Sequence, residues 1–184
     1  MMTLAFRLRF PADKIQPLAE RYWKYSKETE RNREKEIEEK IEPKVRERRY
    51  YTRSEFLVLA RWKSQRPLKH YKKNSEEYVQ EVTRIALSSS NERIRVGSLM
   101  LLDGVSWPVA SVLPHFGVRD RYPILDFRAL WSLKVKVPKQ YDFPFWWAYT
   151  LHCRCLADEH KVSMRTLDRA LWQHSKEKQG EDSS

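Results

Sequence analysis

Apolar residues in this chain recur three and four apart, and few segments show strict apolar–polar alternation. Only 4 of the 184 residues are glycine. Both features restrict the chain to a mostly helical fold, because half-buried strands need a period of two and frequent turn residues. Hydrophobic residues make up 41% of the chain, with 7 Trp, 9 Tyr and 7 Phe, so one domain of ordinary size can build a core. No linker and no internal repeat divides it. The expected architecture is all-α: a single helical domain over 1–176, including a charged helix over 27–49, and a disordered tail over 177–184.

Helix starts and stops follow from caps and prolines. Residues 1–10 fit either a short strand or an extended arm. Pro11 and Asp13 open a helix with Ile15, Leu18, Tyr22 and Trp23 on one face. From Lys27 to Glu42 opposite charges recur three and four apart, which describes a solvated, projecting helix. Pro43 ends or kinks it. Thr52-Arg53-Ser54-Glu55 starts a helix whose face holds Phe56, Leu59, Ala60 and Lys63 and which stops before Pro67. Asn74 caps a helix to Ser88 with Tyr78, Val79, Val82 and Ile85 inward. Ser90 or Asn91 caps the next, through Met100. Later helices span 145–160, rich in aromatics, and 164–174, capped by Ser163.

The net charge is +11 and the pI about 9.7, which points to a polyanionic partner. Between Lys44 and Lys73 there are 11 Lys or Arg and 2 Glu, so +9 of the +11 lies there. Tyr50, Tyr51, Phe56, Trp62 and Tyr71 are interleaved with these cations. That pattern suits a phosphate backbone; the other reading is a basic face neutralised by the acidic stretch just upstream. No apolar run approaches the roughly 18 residues that span a membrane, and the first ten residues are too short and charged for a secretory signal. The expected location is cytoplasmic, on the nucleoid in a bacterial cell. Cys153 and Cys155 fall on different faces of one helix, which predicts reduced thiols. The 5 histidines show no metal-ligand spacing.

The stretch Leu101–Arg128 carries the chemistry. Leu101–Ser106 reads as a tight turn centred on Gly104. Trp107–Phe116 reads as a helix with Val105, Val109, Val112, Leu113 and Phe116 on one side, and Pro108 in its first turn, where no amide donor is needed. Amides of Gly104, Ser106 and that first turn can converge on a phosphate. Tyr122–Asp126 is an extended apolar approach that delivers Asp126 to the start of a helix over 127–133. A plain helix cap is the alternative role for Asp126.

These residues resemble the helix-hairpin-helix DNA glycosylases of the endonuclease III and adenine-mismatch glycosylase kind. Leu102-Asp103-Gly104-Val105-Ser106 stands for the family's L-P-G-V-G hairpin. Ala110 falls where its helix carries a small residue. Leu125-Asp126 stands for the V-D that ends in the catalytic Asp, at the family's spacing from the hairpin. The resemblance implies double-stranded DNA as partner, the hairpin residues Gly104, Val105 and Ser106 on its backbone, and Asp126 as catalytic residue. Pro108 stands where bifunctional members carry a Schiff-base Lys, which implies a monofunctional hydrolase. The four-cysteine motif is missing, so the resemblance implies no iron–sulfur cluster, no other cofactor and no metal; a monomer is expected.

A second resemblance covers Phe56–Arg66. Family members often end an apolar helix in S-Q before a loop that enters DNA. Here Ser64-Gln65-Arg66 follows Lys63, making Lys63, Gln65 and Arg66 DNA-contact candidates, with Gln65 filling the gap left by a flipped nucleotide. Arg128 is a candidate to touch phosphate or to pair with Asp126. Tyr51, Trp62 and Trp107 are candidates for the base pocket or for the core. The function implied is hydrolysis of the N-glycosidic bond of a damaged or modified base, hypermodified phage bases included. The competing classes are a non-catalytic helix-hairpin-helix DNA binder and a protein-interaction adaptor using the Lys27–Glu42 helix.

Overall fold

A computed structural model describes residues 6–118 and 122–180, and all regular structure among them is helical. The helices are α1 (Ile15–Tyr25), α2 (Glu28–Glu36), α3 (Glu42–Arg48), α4 (Arg53–Lys63), α5 (Leu68–Tyr71), α6 (Glu76–Ser88), α7 (Glu92–Leu99), α8 (Trp107–Gly117), α9 (Phe127–Ser132), α10 (Phe143–Glu159) and α11 (Met164–Lys178). Where the sequence offers no linker, the chain packs as two compact units. One joins Met1–Lys27 to Asp120–Ser184; the other is Glu28–Arg119. No described helix is long and apolar enough to cross a membrane.

In the Glu28–Arg119 unit, α8 is the central element, with every residue from Val109 to Gly117 buried. Helices α3, α4, α6 and α7 pack against it. Thr52 caps α4 through a reciprocal box with Glu55, the motif expected from Thr-x-x-Glu. Tyr51 is buried completely. Its amide donates to Thr83 Oγ1 at 2.9 Å and its hydroxyl to the Leu113 carbonyl at 2.8 Å. Burial drives its phenol well above the ordinary value of 10.0. Tyr51 is therefore a core residue, not a wall of a base pocket.

The charged helix differs from its expected form. Glu34, Ile37, Ile41 and Val45 are buried at intervals of three and four, so one side of it packs rather than projects. Pro43 does not end it. A π-helical turn over Ile37–Ile41 comes first, and Pro43 follows in the opening turn of α3. The wider turn shifts the hydrogen-bond register, so the missing proline N–H falls where the ladder is already interrupted. The apolar face of α6 is also rotated from expectation. Val79, Val82, Thr83, Ala86 and Leu87 are buried, while Tyr78 and Ile85 are exposed.

In the other unit, α1, α9 and α10 pack on α11. Residues 7–9 run extended along the end of α9, with the Arg7 amide donating to the Leu133 carbonyl and the Arg9 amide to that of Ser132, both at 2.9 Å. The apolar face of α1 is Ile15, Leu18 and Ala19, with Tyr22 and Trp23 half-buried. Helix α11 runs to Lys178, beyond the expected end at His174. Its added turn carries an ion pair: Glu177 accepts two hydrogen bonds from Arg21, at 2.9 and 3.0 Å. Residues 177 and 178 are thus helical, and 181–184 lie outside the described residues, as do 1–5 of the N-terminal segment. Cys153 is buried and Cys155 exposed, both free.

Candidate nucleic-acid interface

The hairpin expected around Gly104 lies in the Glu28–Arg119 unit. The Val105 amide donates to the Leu102 carbonyl at 3.1 Å, closing a four-residue turn. Gly104, third in that turn, has φ +83°, the left-handed value a type II turn demands. A side chain there would also collide: an added Cβ would lie 2.8 Å from His70 Cβ and 2.9 Å from the Tyr71 ring. Glycine is required twice over, by torsion and by the close approach of α5.

Asn74 holds this turn. The Asp103 amide donates to Asn74 Oδ1 at 2.9 Å, and Asn74 Nδ2 donates to the Asp103 carbonyl at 3.2 Å and to the Tyr71 carbonyl at 3.0 Å. Asn74 is buried. It is not the cap of α6; that role belongs to Ser75, whose side chain accepts from the Tyr78 amide. Arg53 in turn fastens the loop bearing Asn74, donating to the carbonyls of Asn74 and Lys72 at 2.8 Å each.

Ser106 is the N-cap residue of α8, but its side chain makes no capping bond. Ser106 is exposed and Gly104 half-buried. Among the described residues, neither amide has an acceptor. Two backbone donors and the start of an eleven-residue helix therefore stand together where a phosphate oxygen can be bound. Val105 and Trp107 are half-buried beside them.

The basic run divides into two parts with different work. Arg46 pairs with Glu42 at 2.8 Å and donates to the Phe116 carbonyl at 3.1 Å. Arg48 pairs with Glu55, and Arg53 fastens the loop. These three arginines hold the fold. From Arg61 to Lys73 there are six Lys or Arg and no acidic residue. Arg61, Arg66, Lys69, Lys72 and Lys73 are exposed, and Lys63 is half-buried. Since His70 and Tyr71 abut Gly104, the cations of α5 and the turn after it flank the hairpin. Gln65 and Arg66 are exposed on the turn between α4 and α5. Trp62 is half-buried, edge-on to Phe116 at 5.8 Å.

Asp126 belongs to the other unit. Tyr122, Ile124 and Leu125 are buried in an extended approach, as expected. The Tyr149 hydroxyl donates to the Ile124 carbonyl at 2.9 Å, and the Tyr122 ring stacks on Trp146. This anchoring fixes the next residue. Asp126, half-buried, caps α9: its Oδ1 accepts from the Arg128 amide at 2.9 Å. The Arg128 guanidinium lies over the rings of Phe127 and Trp172, 5.1 and 5.4 Å from their centroids. Tyr141, which sequence reasoning did not single out, has its phenol raised above 10.0 by burial and then by the negative charge of Asp126. The carboxylate thus has a phenol within its field.

No protein-family model matches this chain, and no curated protein or solved structure matches it.

Proposed function

We propose that this protein binds duplex DNA through the Leu102–Ser106 hairpin and hydrolyses the N-glycosidic bond of a damaged or modified base, with Asp126 as the catalytic carboxylate. The observation that carries the reading is the hairpin: a glycine turn with two unclaimed amides, clamped by Asn74 and flanked by the exposed cations of residues 61–73. Such donors hold a phosphate backbone without reading sequence. Gly104, Val105 and Ser106 make the backbone contacts; Lys63, Gln65, Arg66 and Arg128 remain the further DNA-contact candidates.

The proposed chemistry is electrostatic. Departure of the base builds positive charge on the sugar, and an ionised Asp126 stabilises it and takes a proton from the attacking water. A base inside a duplex must leave the stack to be reached. With Pro108 at the position of the family's Schiff-base Lys, the proposed enzyme releases base and leaves the strand intact.

A second reading is a DNA-binding protein without catalysis, favoured by the fact that Asp126 is already used as a helix cap. Two assays separate these. Duplex binding whose log affinity falls steeply with log salt supports the hairpin in both readings. Base release from duplexes carrying alkylated, deaminated, oxidised, mismatched or hypermodified bases, abolished in Asp126→Asn, supports only the first.

A further inference from the structure

A pocket of about 500 Å3 opens in the unit that joins the N-terminal segment to Asp120–Ser184. Arg9, Lys14, Arg21, Lys134 and Lys178 line it against one acid, Glu177, a formal charge of +4 with His174 neutral. Phe10, Leu18 and Trp131 supply its apolar wall. Its size falls in the range of small-ligand sites, roughly 300–1,000 Å3.

The negative groups around this pocket already have partners: Asp13, outside the lining, lies 3.5 Å from Lys14 Nζ in an exposed ion pair. Glu177 is held bidentately by Arg21. The last carbonyls of α9 are taken as well: Trp131 by Arg9 Nε, Ser132 by the Arg9 amide, and Leu133 by the Arg7 amide. Arg9 is fixed by its Nε bond and by stacking 4.4 Å over the Trp131 ring, yet its terminal guanidinium nitrogens have no acceptor among the described residues.

Lys134 is the second anchor. It occupies the left-handed position that ends α9, with φ +59°, where glycine is the usual choice. The Lys134 amide donates to the Trp131 carbonyl at 3.0 Å and that of Val135 to Leu130 at 2.9 Å, the pairing of a Schellman turn. Its side chain is exposed and lines the basic pocket, and the Schellman turn fixes the backbone from which it extends.

We infer that this pocket binds the phosphate monoester of an organic phosphate, with Arg9, Lys14 and Lys134 on the phosphate and the Phe10–Leu18–Trp131 wall against the organic part. A bare phosphate would leave most of the cavity empty. The phosphate comes either from a free nucleotide-like molecule or from the 5′ end of a nucleic-acid strand. The inference is independent of the hairpin, whose residues belong to the other unit.

Titration calorimetry with adenosine 5′-monophosphate, adenosine, and one single-stranded oligonucleotide bearing a 5′-phosphate or a 5′-hydroxyl tests it. Adenosine monophosphate binds and adenosine does not, or the 5′-phosphorylated strand binds at least tenfold more tightly than its hydroxyl twin; whichever arm responds identifies the source. Lys134→Gly removes the charge while suiting the backbone, so its melting temperature is equal to or above that of the wild type. It weakens phosphate-dependent binding at least fivefold, as does Lys14→Gln. The inference is overturned if neither phosphate-bearing probe is distinguished from its unphosphorylated counterpart, or if Lys134→Gly and Lys14→Gln both bind as the wild type does.

Discussion

The side-chain amide of Asn74 reads both backbone groups of Asp103, accepting from its N–H at 2.9 Å and donating to its C=O at 3.2 Å. This pairs a buried residue after α5 with the hairpin 29 positions later. It sets the turn independently of α7 and α8, which enter and leave it. Asn74→Ala leaves those groups without their partner at a cost of about 1–3 kcal/mol. We expect the loss in urea denaturation, together with weaker duplex binding. Asn74→Asp keeps the acceptor and loses the donor, so it falls between alanine and wild type.

Gly104→Ala is predicted to be the most damaging single-methyl change in the hairpin. The new Cβ meets His70 and Tyr71 at under 3 Å, in a left-handed conformation. The expected destabilisation exceeds about 1 kcal/mol. Ser106→Gly changes neither the contact nor the torsion at Gly104, and is expected to retain DNA affinity within about twofold, near 0.4 kcal/mol. Equal behaviour of the two variants in melting and binding assays would contradict this account of the turn.

His152 gives the fold an acid sensitivity. Its ring stacks on Phe6 with centroids 5.1 Å apart, and its Nε2 is buried with no partner among the described residues. Burial lowers its pKa below 6.5. The folded state therefore prefers the neutral ring, and the unfolded chain takes up the proton first. Stability is full above about pH 6.5 and falls as pH drops from there towards the lowered folded value. Urea midpoints at pH 7.5 and pH 5.5 should show this drop in the wild type and a smaller one in His152→Leu.

The Arg21–Glu177 pair acts in a lower window. The hydrogen bond from Arg21 is the main cause that lowers the Glu177 pKa below 4.5. Its contribution is present above about pH 4.5 and is lost as pH falls through the depressed folded value. The Arg21 side chain is 38% exposed, so the pair contributes at most about 1 kcal/mol. Glu177→Gln should lower the melting temperature slightly at pH 7, and the difference should close in strong acid.

The helices were legible wherever caps and apolar spacing agree. Thr52–Glu55, Asn91, Ser163 and Asp126 cap the helices expected of them. In sequence Asn74 reads as a cap because Asn and Ser75 are both good caps and stand side by side. The adjacent second cap was the available signal that Asn74 was spare for other work. The buried side of the charged helix is obscured in sequence because Ile37, Ile41 and Val45 are its only apolar side chains besides Pro43, and a π turn shifts their register. The basic run looked uniform in sequence, and only three-dimensional partners separate Arg46, Arg48 and Arg53 from the exposed cations after Arg61. The pocket around Arg9 and Lys134 joins segments more than a hundred residues apart, which no local pattern reveals.

In the proposed function the Asp126 carboxylate carries the chemistry. The direct measurement is base release from duplexes carrying alkylated, deaminated, oxidised, mismatched or hypermodified bases, comparing wild type with Asp126→Asn. Asparagine retains a side-chain oxygen for the Arg128 amide, so the cap and the fold persist, checked by melting temperature and duplex affinity. The wild type is expected to release at least one modified base, with no strand cleavage, and the variant to lose at least 100-fold in rate, about 2.7 kcal/mol in transition-state terms. No release by the wild type across the panel, or equal release by a folded Asp126→Asn protein, would contradict it.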